Sequence, residues 1–262
     1  MIPLVEQLRE RWPGVHAGAT SQDILDTAMM LIAKRALGPL LDDAGAATLR
    51  ADELAAEHAD TPMIGRTLLQ HAEPTTFGRK AADWARAISA ATGDLAEVPL
   101  PVQMGGPVGA RDDGVAALVA EALGLAPSAP WQANRQPVAR LGCLLGVLAG
   151  ALGKVGRDVA LLSQNEVGEV REGAPGGSSS MPHKRNPVAS TALVAIAIRT
   201  PGLVSTLLAA MPGEHERAAG AWHAEWETVG DLLRLTGSAA AWARELLDGL
   251  EVDADRMRAN LP

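Results

Sequence analysis

The sequence has no tyrosine, one phenylalanine and one cysteine among its 262 residues. A lone Cys143 excludes an internal disulfide and a thiolate metal cage. Aromatics make up 3% of the chain even with six tryptophans. The core must therefore be built from Ala, Leu, Val and Met, a composition that favours close-packed helices. Positive charge is also scarce: 23 Lys and Arg stand against 31 Asp and Glu, a formal charge of −8. Nucleic-acid binding and membrane-surface binding both need a basic footprint, so neither partner is expected. A small anionic substrate would instead be held by local cations. No basic, apolar and small-residue segment opens the chain, and a cytoplasmic location is expected. The longest weakly charged stretch, residues 141–153, LGCLLGVLAGALG, is too short to cross a bilayer and is followed at once by Lys154. It reads as a buried helix.

What is present is helical periodicity. Apolar spacing predicts helices over residues 1–11, 24–41, 45–58 and 79–93. The longest is expected over 137 to about 171, and helix continues from 187 to about 250 with breaks near Pro201 and Pro212. Residues 99–109, PLPVQMGGPVG, are too rich in Pro and Gly for helix or strand, and residues 61–78 interrupt the pattern with two prolines and two glycines. Thr20 and Asp23 have the spacing of a helix N-terminus, a cap and an acid three residues on. No alternating run is long enough for a sheet. The class is all-α, a bundle of long helices. Glycines at 142, 146, 150, 153 and 156 fall within roughly a third of a helix circumference at about 100° per residue, a bare stripe that lets another helix approach.

The chemistry concentrates in GGSSSMPHKRNP, residues 176–187. Gly and Ser leave the backbone mobile, and Lys184 and Asn186 lie just beyond, before a helix resumes. A hydroxyl, a cation and an amide so placed can supply a proton-transfer group, a carboxylate clamp and an oxyanion donor. A plain flexible interhelical loop is the bland alternative. A nucleophilic serine hydrolase needs a GxSxG elbow at the end of a strand, and both the second glycine and the sheet are missing.

The same string resembles the signature GSSxMPxKxNP of the fumarase/aspartase superfamily at every fixed position. The resemblance implies that Ser178 is the catalytic acid/base on a closing loop, and that Lys184 and Asn186 hold a substrate carboxylate. Residues 16–23, HAGATSQD, are similar to the HxGxTSxD segment shared by adenylosuccinate lyases and 3-carboxy-cis,cis-muconate cycloisomerases. This implies that Thr20 and Ser21 donate hydrogen bonds to substrate and that His16 lies at the pocket. GRTLLQHAEP, residues 65–74, resembles GRTHxQxAxP and adds Arg66, Thr67 and Gln70 as substrate-binding candidates. EHERAAGAWHAEWET, residues 214–228, resembles the ERxxGxWHxEW region of the cycloisomerases. Arg217 is its candidate carboxylate ligand, with a surface ion pair to Glu214 or Glu216 as the alternative. His223 and Glu225, two apart on a helix, do not share a face and are not read as a dyad or metal pair. PVQMGGPVG resembles the superfamily's QxGGAxG loop, with Gln103 within reach of the pocket.

One departure narrows the reading. Most members carry His at the fourth position of GRTH, where it helps protonate the leaving group; here the residue is Leu68. A departing amine or hydroxide needs a proton, whereas a carboxylate, with a pKa of roughly 4, does not. His71 falls on a different part of the turn and is not read as a substitute. The resemblance thus implies cycloisomerisation of 3-carboxy-cis,cis-muconate to a carboxymuconolactone in protocatechuate breakdown, the β-ketoadipate pathway. No metal or cofactor is required. An adenylosuccinate- or argininosuccinate-type lyase releasing fumarate is the alternative, and a truncated, inactive assembly unit is another.

The resemblance covers nearly all 262 residues, but the chain is expected to lack most of the N-terminal and C-terminal helical domains of this fold. Residues 1–62 read as a remnant of the first, and 63–262 as the central helical bundle carrying the catalytic loop 173–187. Superfamily sites are assembled from three subunits of a homotetramer, so self-association with shared sites for a small polycarboxylate is implied.

Overall fold

The computed structural model describes residues 2–111 and 114–262. Met1, the first residue of the first helical pattern, lies outside the described residues. The chain order is α1 (Ile2–Arg11), α2 (Ser21–Glu57), β1 (Pro62–Thr67), β2 (Gln70–Thr76), α3 (Phe77–Ala96), α4 (Val115–Leu123), α5 (Gln136–Leu162), β3 (Val170–Glu172), α6 (Val188–Ala210), α7 (Ala221–Asp248), β4 (Leu250–Val252) and α8 (Ala254–Ala259). The class is all-α, with two short antiparallel ribbons, β1-β2 and β3-β4, as its sheet content among the described residues.

The residues form two compact units, each discontinuous in sequence. One comprises Met1–Ala36, Val98–Gly142 and Leu203–Asp231; the other comprises Leu37–Glu97, Cys143–Gly202 and Leu232–Pro262. Helices α2, α5, α6 and α7 each contribute a stretch to both.

In the second unit, Leu145, Leu148, Leu152, Val155 and Val159 of α5 are fully buried, as are Ala44, Ala47 and Ala51 of α2. The small residues matter because they let backbones approach. A Cβ added at Gly153 would lie 2.2 Å from Ala197 Cβ, and one at Gly156 would lie 2.6 Å from Leu193 Cβ, so α6 packs directly on these two glycines. Gly150 of the same stripe meets nothing within 4 Å. Helix α3 buries Phe77, Ala81, Trp84, Ile88 and Leu95 along one face. Thr76 caps it by accepting from Arg79 N, the usual means of satisfying a first-turn donor.

Several elements differ from the sequence expectation. Helix α2 runs unbroken from Ser21 to Glu57 and through Pro39, where two helices parted at residues 42–44 were expected. An internal proline costs about 3 kcal/mol by deleting one backbone bond and crowding the turn before it. Burial of Leu37, Leu40, Ala44, Ala47, Ala51 and Leu54 around that point offsets it. Helix α6 likewise runs through Pro201. Helix α5 stops at Leu162 rather than near 171, because Gln164 O accepts from both Val167 N and Gly168 N. Gly168 then adopts φ 63° and turns the chain into β3. Residues 62–76, expected to be irregular, form the β1-β2 hairpin. Two helices, α5 and α6, are long and apolar enough to cross a membrane by length and composition. The most apolar window of α5 is mostly buried within the protein, whereas that of α6 is 22% buried.

Candidate active site

The signature loop joins β3 to α6, and backbone pairing closes its neck. Gly176 N donates to Asn186 O at 2.9 Å, and Asn186 N donates to Gly176 O at 2.8 Å. The Asn186 side-chain amide adds a third bond, donating to Gly177 O at 2.9 Å. Glycine is required at 176, since a Cβ there would sit 2.3 Å from Val188 Cγ2. Below the neck, the buried Glu172 carboxylate accepts from Ala189 N at 3.1 Å, Ser190 N at 2.8 Å and Ser190 Oγ at 2.6 Å. A carboxylate there satisfies orphan donors at the start of α6 and faces the positive end of its dipole.

Within the loop, Ser178 Oγ accepts from Met181 N at 3.2 Å and Ser180 N at 3.4 Å. Two N–H dipoles aimed at one hydroxyl oxygen favour its anionic form, so the proton on Oγ is easier to give up. Lys184 and Asn186 line a cavity of about 830 Å³ together with Arg171, Glu172, His183 and Arg185. Glu166 and Glu251 also line it, so three Lys and Arg side chains face three carboxylates around the cavity.

The second motif forms the hairpin. Thr67 pairs with Gln70, and the two residues between them, Leu68 and Leu69, have φ of 51° and 64°. Both central positions of the turn are therefore left-handed, the geometry that Asn-Gly normally fills. Both side chains face solvent, Leu68 96% and Leu69 73% exposed. Arg66, one pair below the turn, is engaged: Nη1 donates to Glu169 Oε2 at 3.0 Å and Nη2 to Glu169 Oε1 at 2.7 Å. Glu169 is fully buried and also accepts from Asn260 Nδ2 at 2.8 Å. The Arg66 fork thus fixes the hairpin to the segment that leads into the loop, and Thr67 and Gln70 flank its exposed tip.

The first unit carries the remaining candidates. His16 has φ 65° in the turn before α2 and lines a cavity of about 250 Å³ with Leu8, Met104 and Arg111. Thr20 N donates to Asp23 Oδ2 at 2.9 Å, so the acid reaches back as expected. The Thr20 hydroxyl instead accepts from Arg217 Nη2. Ser21 opens α2, half-buried. The structure therefore brings Thr20 and Arg217 together, and the alternative of an Arg217 pair with Glu214 or Glu216 is not formed. Asp23 also accepts from Gly105 N at 2.8 Å, Gly106 N at 3.0 Å and Gln103 Nε2 at 3.1 Å. Gln103 is fully buried, its Oε1 accepting from Trp131 N at 2.7 Å, so it holds the Gly-rich loop onto α2 rather than facing a pocket.

Sequence reasoning missed a buried ion cluster in this unit. Arg135 Nη1 donates to Asp26 Oδ2 at 2.7 Å, Arg135 Nε donates to Glu225 Oε1 at 3.0 Å, and Trp222 Nε1 donates to Asp26 Oδ1 at 2.9 Å. Burial pushes the Glu225 carboxyl above the ordinary carboxylate value; Arg135 opposes that shift and Asp26 adds to it. Burial alone would lower the Arg135 pKa, but its bonds to Glu225 and Asp26 carry it upward. Asp26 and Arg135 lie 109 positions apart, so no local pattern announces the pair. Among the described residues no group of three or more His, Cys, Asp or Glu could hold a metal ion.

The sequence pattern of the family described as Lyase matches residues 4–202, a span that holds four of the five motifs. The chain belongs to the fumarase/aspartase superfamily of lyases. Within this superfamily it is 51% identical over 284 residues to 3-carboxy-cis,cis-muconate cycloisomerase of Pseudomonas aeruginosa, covering 99% of this chain and 61% of that protein. It is 48% identical over 268 residues to nitrosuccinate lyase of Streptomyces davaonensis, covering 94% of this chain and 56% of the other. Its fold matches the crystal structure of the 3-carboxy-cis,cis-muconate lactonizing enzyme from Pseudomonas putida with a TM-score of 0.91 at 44% identity, over 99% of this chain and 62% of that one. The chain thus spans about three fifths of the length of these superfamily relatives.

Proposed function

We propose that the chain carries the active-site machinery of a 3-carboxy-cis,cis-muconate cycloisomerase. The observation that carries this reading is the loop: Ser178 Oγ receives two backbone N–H groups while Lys184 and Asn186 stand at the neighbouring cavity. One substrate carboxylate oxygen adds to the β-carbon of the conjugated double bond, forming the C–O bond of the lactone. The displaced π-electrons move through the α-carbon into the adjoining carboxylate, giving an aci-carboxylate. Lys184 and Asn186 stabilise that charge, with Arg66, Thr67 and Gln70 as further substrate-contacting candidates of the same unit, while Thr20, Ser21, Arg217 and His16 are candidates that a neighbouring subunit would supply to a shared site. Ser178 then delivers its proton to the α-carbon, and its alkoxide, held by the N–H groups of Ser180 and Met181, recovers a proton from solvent. Nucleophile and acceptor belong to one molecule, so folding it correctly removes much of the barrier.

Leu68 supports cycloisomerisation over amine elimination, because an apolar tip offers no proton to a basic leaving group. The similarity to nitrosuccinate lyase favours a second reading: a lyase that expels a weakly basic anion, which also leaves without a proton.

The active form in this proposal is a homotetramer with shared sites, acting on a small polycarboxylate in the cytoplasm. Two features support self-association. The apolar helix α6 leaves Val188, Ile198 and Leu208 exposed, and the Leu68–Leu69 tip projects two apolar side chains into solvent. The most apolar window of α6 is 22% buried within the protein, and exposed apolar surface is what association covers.

The test follows the loss of ultraviolet absorbance of 3-carboxy-cis,cis-muconate on adding purified protein, beside a Ser178→Ala variant. Turnover by the wild type and its loss in the variant is the expected result. Equal inactivity of the two sinks the cycloisomerase reading. Release of an unsaturated dicarboxylate from substituted succinates then separates a lyase from an inactive assembly unit.

A further inference from the structure

We infer that the buried Asp26, Arg135 and Glu225 side chains, acting through the Trp222 indole, are positioning residues that set Arg217 on Thr20. The inference rests on the reading of Arg217 and Thr20 as carboxylate ligands, and all six residues lie within one compact unit.

Arg217 needs such help. It lies in the non-helical stretch between α6 and α7, where no backbone ladder limits its motion. Its contacts are the hydrogen bond to Thr20 Oγ1 and the face of the Trp222 ring, 5.8 Å from guanidinium carbon to centroid. A long cationic side chain loses much rotamer freedom when fixed. A cation over an indole at an exposed site returns less than that. Its aim therefore depends on the indole being fixed in advance.

The cluster fixes it. Trp222 is buried, and its N–H is one of four donor contacts on Asp26, beside Gln22 Nε2 at 3.2 Å and Arg135 Nη1 and Nη2 at 2.7 and 3.1 Å. The other edge of Arg135 engages Glu225, and its face stacks on Trp131 at 4.8 Å. Trp222 and Glu225 are three residues apart on α7, one turn of helix, so they lie on one face. The first turn of α7 is thereby clamped at two points, to α2 through Asp26 and to the start of α5 through Arg135. Thr20 immediately precedes α2. The separation between Arg217, just before α7, and Thr20, just before α2, is thus set by the same few bonds.

Stability is a weak reason for the cluster to exist. Two carboxylates share one guanidinium out of water, and apolar side chains of the same volume generally hold a core at least as well. Directional bonds at a fixed spacing are what an apolar core does not supply.

The experiment titrates the purified chain with propane-1,2,3-tricarboxylate, a saturated tricarboxylate that cannot lactonise. Binding is measured by calorimetry for the wild type, Trp222→Phe, Arg217→Gln and the double variant, with Arg135→Lys as a second route to the cluster. Thermal midpoints and the indole N–H resonance of Trp222 are recorded on the same samples. Positioning predicts that Trp222→Phe and Arg135→Lys each weaken binding about tenfold, and that the double variant binds no more weakly than Arg217→Gln. A purely structural role lowers the thermal midpoint and leaves the dissociation constant alone, and that outcome overturns the inference. If the wild type itself fails to bind, the reading of Thr20 and Arg217 as ligands falls. The indole resonance then decides the positioning separately: Arg217→Gln moves it if the two are coupled, and an unmoved resonance overturns the coupling.

Discussion

Adding one methyl group to α5 has opposite consequences at two glycines three residues apart. At Gly153 the new Cβ would lie 2.2 Å from Ala197 Cβ, 3.5 Å from Leu193 O and 3.7 Å from Ala197 Cα. Carbon atoms rest at about 3.5–4.0 Å, so α6 must retreat locally by roughly 1.5 Å. Retreat loosens the contact at Gly156, where a gap of about 1 Å forfeits up to half of each dispersion well. Overpacking of this kind costs about 1–3 kcal/mol, and a 2.2 Å contact between two methyl carbons belongs at the upper end. Replacing glycine by alanine in a helix returns about 1 kcal/mol. The expected net loss for Gly153→Ala is about 1–2 kcal/mol. At Gly150 nothing lies within 4 Å, so only the propensity gain remains, and Gly150→Ala should stabilise by about 1 kcal/mol. The assay is urea unfolding followed by helical circular dichroism at dilute protein. Adding Ala197→Gly to Gly153→Ala should recover much of the loss, since it removes the atom struck. The reasoning is refuted if the two alanine variants shift the midpoint in the same direction by the same amount. Repeating Gly150→Ala at high protein concentration reads self-association as well, because a penalty that grows with concentration places a second copy on that face.

Three further outcomes are expected. The Glu225 carboxyl is raised above its ordinary value by burial, so the native state binds the extra proton between the unfolded and folded pKa values and stability from this group falls as pH rises through the folded one; the stability of wild type relative to Glu225→Gln, measured across acid to neutral pH, should therefore decline upward, and a flat or rising difference contradicts the assignment. Arg66→Ala leaves the fully buried Glu169 carboxylate uncompensated, a loss of about 3–5 kcal/mol readable by denaturant unfolding, and Arg66→Ala with Glu169→Gln should recover part of it. Gly176→Ala forces its Cβ onto Val188 and opens the loop neck, so proteolysis between residues 177 and 185 should speed up about tenfold, an effect that scales with the open population; an unchanged cleavage rate argues that the backbone pairs alone hold the neck.

Helical segments and motif residues were readable in the sequence because both are local. Periodicity marks α3 over residues 79–93, and the string from Gly177 to Pro187 contains its own hydroxyl, cation and amide. The continuity of α2 across residues 42–44 was not readable, because what carries the helix through them is burial of Leu40, Ala44 and Ala47 in the fold. The β1-β2 hairpin was hidden for a different reason: its turn carries Leu-Leu where the usual signal is Asn-Gly. Arg66 read as a ligand candidate by its place in a motif, while its bidentate partner Glu169 lies 103 positions away. Asp26, Arg135 and Glu225 are the extreme case, each unremarked alone and defined only by tertiary contact.

The hairpin ends on this last kind of information. Its ladder, its bulge between Ile64 and Arg66 and the Arg66–Glu169 clamp all lie below Thr67 and Gln70. Leucine at two left-handed positions is strained by about 1–2 kcal/mol each, and neither side chain supports the ladder beneath it. Chemistry and stability are therefore separable at this point. On the proposed cycloisomerase reading, the two tip residues can be exchanged, apolar for proton-donating or the reverse, to change which leaving groups are served without rebuilding the scaffold that presents them.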